Sequence, residues 1–439
     1  MSAQLYKAEL TKCFNFAFGT NYDTSHEFSN EELFLLTPDH IYGFLALKVF
    51  GTSTPTETDK PTKGRSSSIE YSKKAISYFM PNRLMKWDLR SNSGNPTKSI
   101  KVNDLIKRVK KCEVRKEGKA SSARRAMELS EFQELIKRCR KMPQNHVGHY
   151  TGAAYFLFQF HMIARIDDVE HFRCEDITAN MEYPCTLKSK MRWSKNVLEE
   201  RESPDQIIMG SMDPRFCVLL GLTLHLEHST LRRSENCSPL LFSVTKSRIR
   251  LLFDEVTTTN DFPLSQENRP IGTHSIRKLP ATYARRNGCS KDDVDARGRW
   301  KSNKRIVDTY IDCLIPYPDA KVASTLCING PVKYVVREGL NMDEDLILSL
   351  VGSNISSYFP RQVALVFGCV LLWAVYDEET SELICQEVVD RVKLSVQAAN
   401  RVIEPGVNPV EKIPLIVTSN GGNLLIDELH CGRGHENST

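Results

Sequence analysis

The segment "THSIRKLPATYARRNG", residues 273–288, holds a histidine, an arginine three residues later and a basic stretch that ends in glycine. The pattern predicts a basic helix that follows His274 and Arg277. Pro280 is unfavourable inside a helix, so it indicates either the true first turn or a kink. A lone H-x-x-R pair is weak evidence, because such a pair arises by chance in many chains of this size. The meaning of the segment therefore depends on residues elsewhere.

Composition limits what the chain can be. Its 439 residues, 41% of them hydrophobic, can form at least one large core and two or three domains. The longest apolar run, Val363–Tyr376, is shorter than the roughly 20 residues that span a bilayer, and it predicts a buried core helix. The first residues lack the pattern of a signal peptide. Thirteen scattered cysteines without a C-x-x-C pair favour a reducing compartment, so we expect an intracellular protein without a membrane partner.

The positive charge is concentrated in one region. Residues 60–128 contain 19 Lys and Arg against 6 Asp and Glu, which is a net charge of +13. The rest of the chain carries a net charge of −8, so the whole chain has a net charge of +5. Apolar residues in 98–125 have helical spacing, so one face can pack while basic side chains stay in solvent. This pattern favours contact with DNA phosphates, although an ordinary solvated helix is the alternative. The predicted DNA-contacting residues are Lys101, Arg108, Lys111, Arg115, Arg124 and Arg125.

Helix and linker signals divide the chain. Thr37 and Pro38 predict the start of a helix that Gly51 ends, and a Ser130–Gln133 capping box predicts that a second domain starts near residue 129. The predicted divisions are an N-terminal arm (1–27), a helical core-binding DNA-binding domain (28–128), a catalytic domain (129–330) and a C-terminal extension without an assigned role (331–439).

The second domain opens with an apolar segment, residues 150–164, which predicts a fully buried helix. It leads to "RIDDVEHF", with Arg165 near the start of a short helix and Asp168 one turn later. Alone, those two residues indicate only a local ion pair. The segments "CEDI" and "YPCTLKSKMRWSKNVLEE" then predict strands, with Lys195 in a turn.

Two further motifs, "RGRW" and "IVDTYID", complete a series. The ordered residues are Arg165, Lys195, His274, Arg277, Trp300 and Tyr310. In order and approximate spacing they resemble the tyrosine recombinase (phage integrase) family. The segments 67–83 and 118–132 look most like Crypton-type recombinases of eukaryotic mobile elements. The resemblance implies a mainly α fold with a small antiparallel β-sheet in the catalytic domain (α+β). It also implies that a helical core-binding domain and this catalytic domain together form a DNA clamp.

The resemblance also implies the chemistry. Arg165 and Arg277 would hold the non-bridging oxygens of a DNA phosphate, as charged forks of donors can. His274 would bind the same phosphate or take a proton from Tyr310, and Trp300 would supply an indole N–H. Tyr310 would attack to give a 3′-phosphotyrosyl bond. No cofactor and no metal are implied, because the cations are all protein side chains.

Several assignments stay open. Lys195 is the predicted general acid, with Lys188 and Lys190 as alternatives, and Asp168 is a supporting residue. Tyr317 is the rival nucleophile, but its proline neighbours predict a loop.

The expected partner is double-stranded DNA, bound by a homotetramer that acts on two sites. A eukaryotic host would imply a nuclear location. The alternative functions are a type IB topoisomerase and a domesticated DNA-binding protein that has lost the reaction.

Overall fold

The computed structural model describes most of the chain as two compact units, Met1–Ala123 and Arg124–Thr439. The described residues are 2–183, 185–195, 197, 203–231, 237–265, 269–300, 317–340, 342–399, 403–420 and 423–428. The unit boundary lies close to the predicted start of the second domain at residue 129.

The first unit is helical. Its helices are α1 (Ser2–Phe18), α2 (Asn30–Phe34), α3 (Pro38–Phe50), α4 (Ser66–Phe79) and α5 (Ile100–Val114), with a short 3-10 helix at Pro96–Lys98. The predicted capping of α3 is confirmed: the Thr37 hydroxyl accepts the His40 N–H, and Gly51 ends the helix with φ +82°.

Helix α1 belongs to the core of this unit. Leu10, Cys13 and Phe14 are buried against α3 and α4. The prediction of a separate arm at residues 1–27 is therefore wrong. Helical spacing of the apolar residues in α1 allows this packing.

Helix α5 is amphipathic, as its sequence pattern predicts. Val102, Leu105 and Val109 are buried, whereas Lys111 and Arg115 are exposed. A helix of this kind stays in place through its apolar face, so the basic face remains in solvent.

The second unit combines helices with two small antiparallel sheets. Its helices are α6 (Leu129–Arg140), α7 (Ala153–His161), α8 (Ile166–Glu170), α9 (Val218–His228), α10 (Lys246–Thr257), α11 (Thr273–Arg286), α12 (Lys291–Arg297), α13 (Tyr317–Leu326), α14 (Glu344–Leu350), α15 (Ser353–Tyr358), α16 (Arg361–Tyr376), α17 (Glu378–Ser381) and α18 (Gln386–Ala398). Its strands are β1 (Ile177–Ala179), β2 (Leu187–Lys190), β3 (Asp205–Ile208), β4 (Gly210–Ser211), β5 (Pro331–Val336), β6 (Val410–Asn420) and β7 (Asn423–Glu428). The prediction of a mainly helical fold is confirmed, with two small sheets where one was expected.

The three-stranded sheet has the order β1-β2-β3, and Lys188 on β2 lies opposite Ile207 on β3. The predicted strand at "CEDI" is wrong for its first three residues, because Cys174–Asp176 is a 3-10 helix that delivers the chain to β1. The predicted capping box of α6 is displaced as well. The Glu131 carboxylate, not Gln133, reaches back to accept the Glu128 N–H at 2.8 Å.

The core of the second unit lies around α7, α9 and α16. A π-helical turn, Gly148–Gly152, precedes α7, and every residue of α7 is buried, as predicted. The apolar run in α16 is confirmed as a core helix. Within the described residues, no helix has both the length and the apolar character needed to cross a membrane.

The predicted C-terminal extension, residues 331–439, is part of this unit. Strand β5 pairs with β4 through Val332 and Gly210, and Tyr334 of β5 lies opposite Lys412 of β6. Helix α16 packs on α9 in the same core. The boundary predicted at residue 330 is therefore wrong, since backbone hydrogen bonds cross it.

Two buried histidines predict acid sensitivity. His161 donates to the Phe216 carbonyl at 2.8 Å, His225 donates to the Leu241 carbonyl at 2.8 Å, and burial lowers the pKa of each to about 4. Each folded pKa lies below the unfolded value near 6.5, so each contribution is complete above that pH and is lost as the pH falls towards 4. We expect each histidine to cost about 2 kcal/mol of stability at pH 5.

Urea unfolding at a series of pH values from 7 to 4.5 measures this loss. His161→Gln should reduce the slope of stability against pH over that range. An equal free energy of unfolding at pH 7 and pH 5 would contradict the prediction.

Candidate active site

Arg165 is the N-cap of α8, with extended backbone angles. Its backbone N–H donates to Asp168 Oδ2 at 3.0 Å, so the carboxylate fixes the backbone of Arg165 and not its side chain. The guanidinium is half-buried, and its Nη1 is buried without a hydrogen-bond partner among the described residues. An unpartnered buried donor is costly and needs an explanation, such as a missing anion.

Asp168 joins three parts of the chain. It is 1% exposed, and the same Oδ2 accepts Arg277 Nη1 at 3.4 Å and Arg299 Nη2 at 3.3 Å. These arginines come from α11 and from the segment after α12. The carboxylate therefore positions two guanidinium groups beside the start of α8. Asp168 was predicted as a supporting residue, but its contacts with Arg277 and Arg299 were not predicted.

Arg277 is buried at the centre of the site. Its Nη2 donates to the Gly298 carbonyl, and its Cζ lies 4.8 Å from the centre of the Trp300 ring. Burial first, and then the charges of Arg299 and Arg165, lower the pKa of Arg277 to about 9. The group therefore still carries its charge at neutral pH, and Trp300 covers one of its faces.

Gly298 allows Trp300 to approach. A Cβ atom on Gly298 would lie 2.3 Å from two ring carbons of Trp300, which is too close for any side chain. The glycine of "RGRW" thus brings the Trp300 ring and the Arg277 guanidinium together.

Arg299 was not predicted as a site residue. It has a φ of +53°, which is unfavourable for a residue with a side chain. Its Nη1 donates to Gln206 Oε1 at 2.9 Å and to the Arg297 carbonyl at 3.1 Å, in addition to its contact with Asp168. The signal for it was the arginine directly before Trp300, in a motif from which only the tryptophan was used.

Arg297, the other arginine of this motif, has a structural role. Its side chain is buried, and it donates to Asp319 Oδ2 at 2.5 Å, to the His161 carbonyl at 2.8 Å and to the Ile207 carbonyl at 3.1 Å. These bonds tie α12 to α13, α7 and β3. They fix the segment that carries Arg299 and Trp300.

His274 lies one turn before Arg277 on α11 and is exposed at the helix start. Partial burial of the imidazole, and then the charges of Arg277 and Lys278, lower its pKa, with smaller effects from Arg165 and Arg124. The imidazole is therefore neutral at neutral pH and can accept a proton. The helix that was predicted to follow His274 and Arg277 already includes both residues, because α11 begins at Thr273.

The helix α11 continues through Pro280, so the prediction of a first turn at this proline is wrong. Proline lacks an N–H, so the carbonyl of Ile276 loses its usual helical donor.

Arg124 and Arg125 have opposite environments. The Arg124 guanidinium is exposed and covers Gly272, where a Cβ would lie 2.6 Å from its Cζ. Arg125 is 3% exposed and pairs with Glu131 through two hydrogen bonds of 2.7 and 2.5 Å. Arg124 thus stands near the start of α11, whereas the prediction that Arg125 contacts DNA is wrong because its charge is neutralised inside the fold.

The predicted DNA-contacting residues of the first unit also differ. Arg108 donates to the carbonyls of Thr56, Glu57 and Asp59, so it holds a loop. Lys101 pairs with Asp39, although both side chains are largely exposed. With Lys111 and Arg115 exposed as well, α5 retains a basic outer face.

Among the three candidate lysines, Lys195 is exposed in the segment that follows β2. Lys188 lies 3.5 Å from Asp205, and Lys190 ends the strand β2. In the described part of the chain, no contact joins Lys195 to the arginines. Lys188 is engaged in this ion pair, and the choice of Lys195 as the general acid stays a prediction.

Tyr310 lies in 301–316, outside the described residues, so its predicted role stays a prediction. Tyr317 is the first residue of α13, and the prediction that it lies in a loop is wrong.

No family model and no curated protein matches the sequence. The chain is similar to the solved FLP recombinase–Holliday junction complex, at 13% identity over 78% of this chain and 93% of that chain, with a TM-score of 0.39. It is also similar to the Flpe–Holliday junction complex, at 13% identity over 91% and 97%, with a TM-score of 0.39. At this TM-score the likeness is loose, and the chemistry of the site has to follow from its own residues.

Proposed function

We propose that the chain is a site-specific DNA recombinase that cleaves and rejoins strands through a 3′-phosphotyrosyl bond on Tyr310. One observation carries the proposal: Arg165 Nη1 is buried without a hydrogen-bond partner among the described residues, and it lies in a cluster with Arg277 and Arg299, both of which contact the Asp168 carboxylate. Three guanidinium groups and one carboxylate leave a net charge of +2. A bound phosphodiester would supply both the missing acceptor and the missing negative charge.

The arginines suit the transition state of phosphoryl transfer. Negative charge builds on the non-bridging oxygens when the tyrosine attacks phosphorus, and fixed cationic donors stabilise that charge. Arg165 Nη1 has no hydrogen-bond partner within the described part of the chain, so it can donate to one such oxygen. Arg277 is held by Asp168 and Gly298, so little reorganisation is needed when substrate binds. Lysine would not replace either fork of donors well.

The proposed proton transfers use His274 and Lys195. The Tyr310 hydroxyl attacks phosphorus while its proton passes to the neutral imidazole of His274, and the bond from phosphorus to the 5′-oxygen breaks. Lys195 gives a proton to the leaving 5′-oxygen. Rejoining reverses these steps, so the phosphotyrosyl bond conserves the energy of the phosphodiester.

We also propose an oligomeric state and a cellular role. Four protomers would act on two duplexes, and the sequence resemblance to Crypton-type enzymes supports DNA integration by a mobile element in the nucleus of a eukaryotic host. The basic face of α5 would complete a DNA clamp with the catalytic unit. A domesticated DNA-binding protein that has lost the reaction is the other outcome that the test below can give.

Covalent trapping tests the function. The full chain is incubated with nicked duplexes of random sequence, denatured and run on a gel beside Tyr310→Phe. We expect a slowly migrating protein–DNA adduct that the variant lacks. Salt-dependent binding without an adduct would identify a DNA-binding protein instead, and an adduct that persists in Tyr310→Phe would move the nucleophile to Tyr317.

A further inference from the structure

A loop of the first unit, residues 83–90 ("RLMKWDLR"), exposes three large apolar side chains. Leu84 is 86% exposed, Met85 is 55% exposed and Leu89 is 70% exposed. Single exposed apolar residues are common on proteins, but several within one short loop indicate an interaction site. Neither the predicted DNA-contacting residues nor the candidate active site includes this loop.

Hydrogen bonds hold the backbone of the 83–90 loop. Asn95 is fully buried; its side-chain amide donates to the Arg83 carbonyl at 3.2 Å, and its backbone N–H donates to the Met85 carbonyl at 3.3 Å. Lys98 Nζ donates to the Leu84 carbonyl at 3.1 Å. The carbonyls of three successive residues, 83–85, therefore each accept a hydrogen bond from Asn95 or Lys98. The backbone that carries Leu84 and Met85 is thus held in place.

Two residues shape the base of the loop. Gly94 has a φ of +108°, and a Cβ atom there would lie 2.3 Å from the Lys86 carbonyl oxygen. Trp87 lines a cavity of about 140 Å³ together with Leu33 and Met80, so its ring faces the body of the unit. Glycine is thus required at position 94, and Trp87 packs the loop against the first unit.

Cations surround the exposed apolar residues. Arg83, Lys86 and Arg90 are exposed, and Asp88 is the only acidic residue of the loop. The Asp88 carboxylate accepts the Ser91 hydroxyl at 2.7 Å and the Arg90 N–H at 3.1 Å, and these bonds lower its pKa. Its oxygens are therefore engaged within the turn. The loop carries a net charge of +2, and its outward hydrogen-bond donors are cationic.

The geometry points to the 83–90 loop as a DNA wedge. Its cations would bind phosphates on both sides of a groove, while Leu84 and Met85 would enter the groove and partly unstack one base step. A second copy of the chain fits this surface poorly, because a symmetric contact would bring like charges together. The inference rests on the proposed function, since it adds a contact to the same DNA.

DNA bending tests the wedge. The full chain is titrated onto a short duplex with a dye at each end, and energy transfer reports bending while anisotropy reports affinity at several salt concentrations. The double variant Leu84→Ser, Met85→Ser should bind about tenfold more weakly and no longer bend the duplex, with an unchanged salt dependence. The triple variant Arg83→Gln, Lys86→Gln, Arg90→Gln should lower the slope of log affinity against log salt by about 3.

Two further variants serve as controls. Gly94→Ala keeps every side chain of the loop but disturbs its shape, and it should lose bending in the same way. Leu394→Ser removes a leucine that is 63% exposed on the second unit, and it should bind and bend DNA as the parent does. Thermal unfolding of each variant confirms that the exposed substitutions leave the fold intact.

Each other result overturns the inference. If the double variant bends DNA like the parent, the wedge is wrong, whereas covalent trapping on Tyr310 can still succeed. If the double variant alters only self-association in gel filtration, the loop contacts protein and not DNA. If the parent binds no DNA, the wedge and the proposed function fail together.

Discussion

Arg165→Ala is expected to slow formation of the covalent adduct about 100- to 1000-fold, the usual effect of removing one donor to a transition-state oxyanion. The free energy of unfolding should not fall below that of the parent and should rise by up to about 1–3 kcal/mol, because alanine removes a buried donor that has lost its hydration without gaining a hydrogen bond. This contrast arises because Arg165 Nη1 has no hydrogen-bond partner among the described residues, while the backbone N–H that donates to Asp168 remains in alanine. Adduct formation on nicked duplex and urea unfolding, measured on the same preparation, check both parts.

A matched control is Arg248→Ala, an exposed arginine on α10. It should change neither the rate nor the stability. A destabilisation of Arg165→Ala by several kcal/mol would show that Arg165 holds the fold together, and the observation that carries the proposed function would then lose its force.

Asp168→Asn is expected to destabilise the protein by about 3–5 kcal/mol, because breaking a buried ion pair leaves charge without compensation. Asp168 is 1% exposed and accepts Arg277 and Arg299 on one oxygen. An amide has nearly the same shape but leaves those two buried guanidinium groups without a negative charge. Denaturant unfolding at neutral pH measures the loss, and a lowered midpoint with an unchanged slope is the expected form.

The neighbouring carboxylate provides the control. Asp167 is about half exposed and pairs with Lys246 at 2.6 Å. Asp167→Asn should cost no more than about 1 kcal/mol, as is usual for a surface pair. Equal effects at the two positions would mean that Asp168 is not the centre of the arginine cluster.

The sequence predicted which residues meet at the site better than it predicted how they are held. Arg165, Asp168, Arg277 and Trp300 come together as the motif order implied. Arg299 was not predicted as a site residue, because its position depends on a positive φ and on a hydrogen bond to Gln206, a residue of β3 that is distant in sequence. Spacing within a motif carries no information about such distant partners.

The sequence also did not predict which charged side chains are buried. Arg124 and Arg125 are neighbours in a basic run, yet only Arg125 faces Glu131 and is buried by it. A charge count treats the two alike, because the direction of each side chain depends on how the chain enters α6. Amphipathic helices such as α5 were predictable, since their periodic pattern depends on few distant contacts.

The pairing of β4 with β5 has a consequence for synthesis on the ribosome. Strand β4 emerges at Gly210, but its partner β5 begins at Pro331, and β6, which pairs with the other side of β5, begins at Val410. Helix α16, which covers α9, also comes late. The second unit therefore cannot complete its core before β5, α16 and β6 have left the ribosome, and its apolar helices can be bound by chaperones until then.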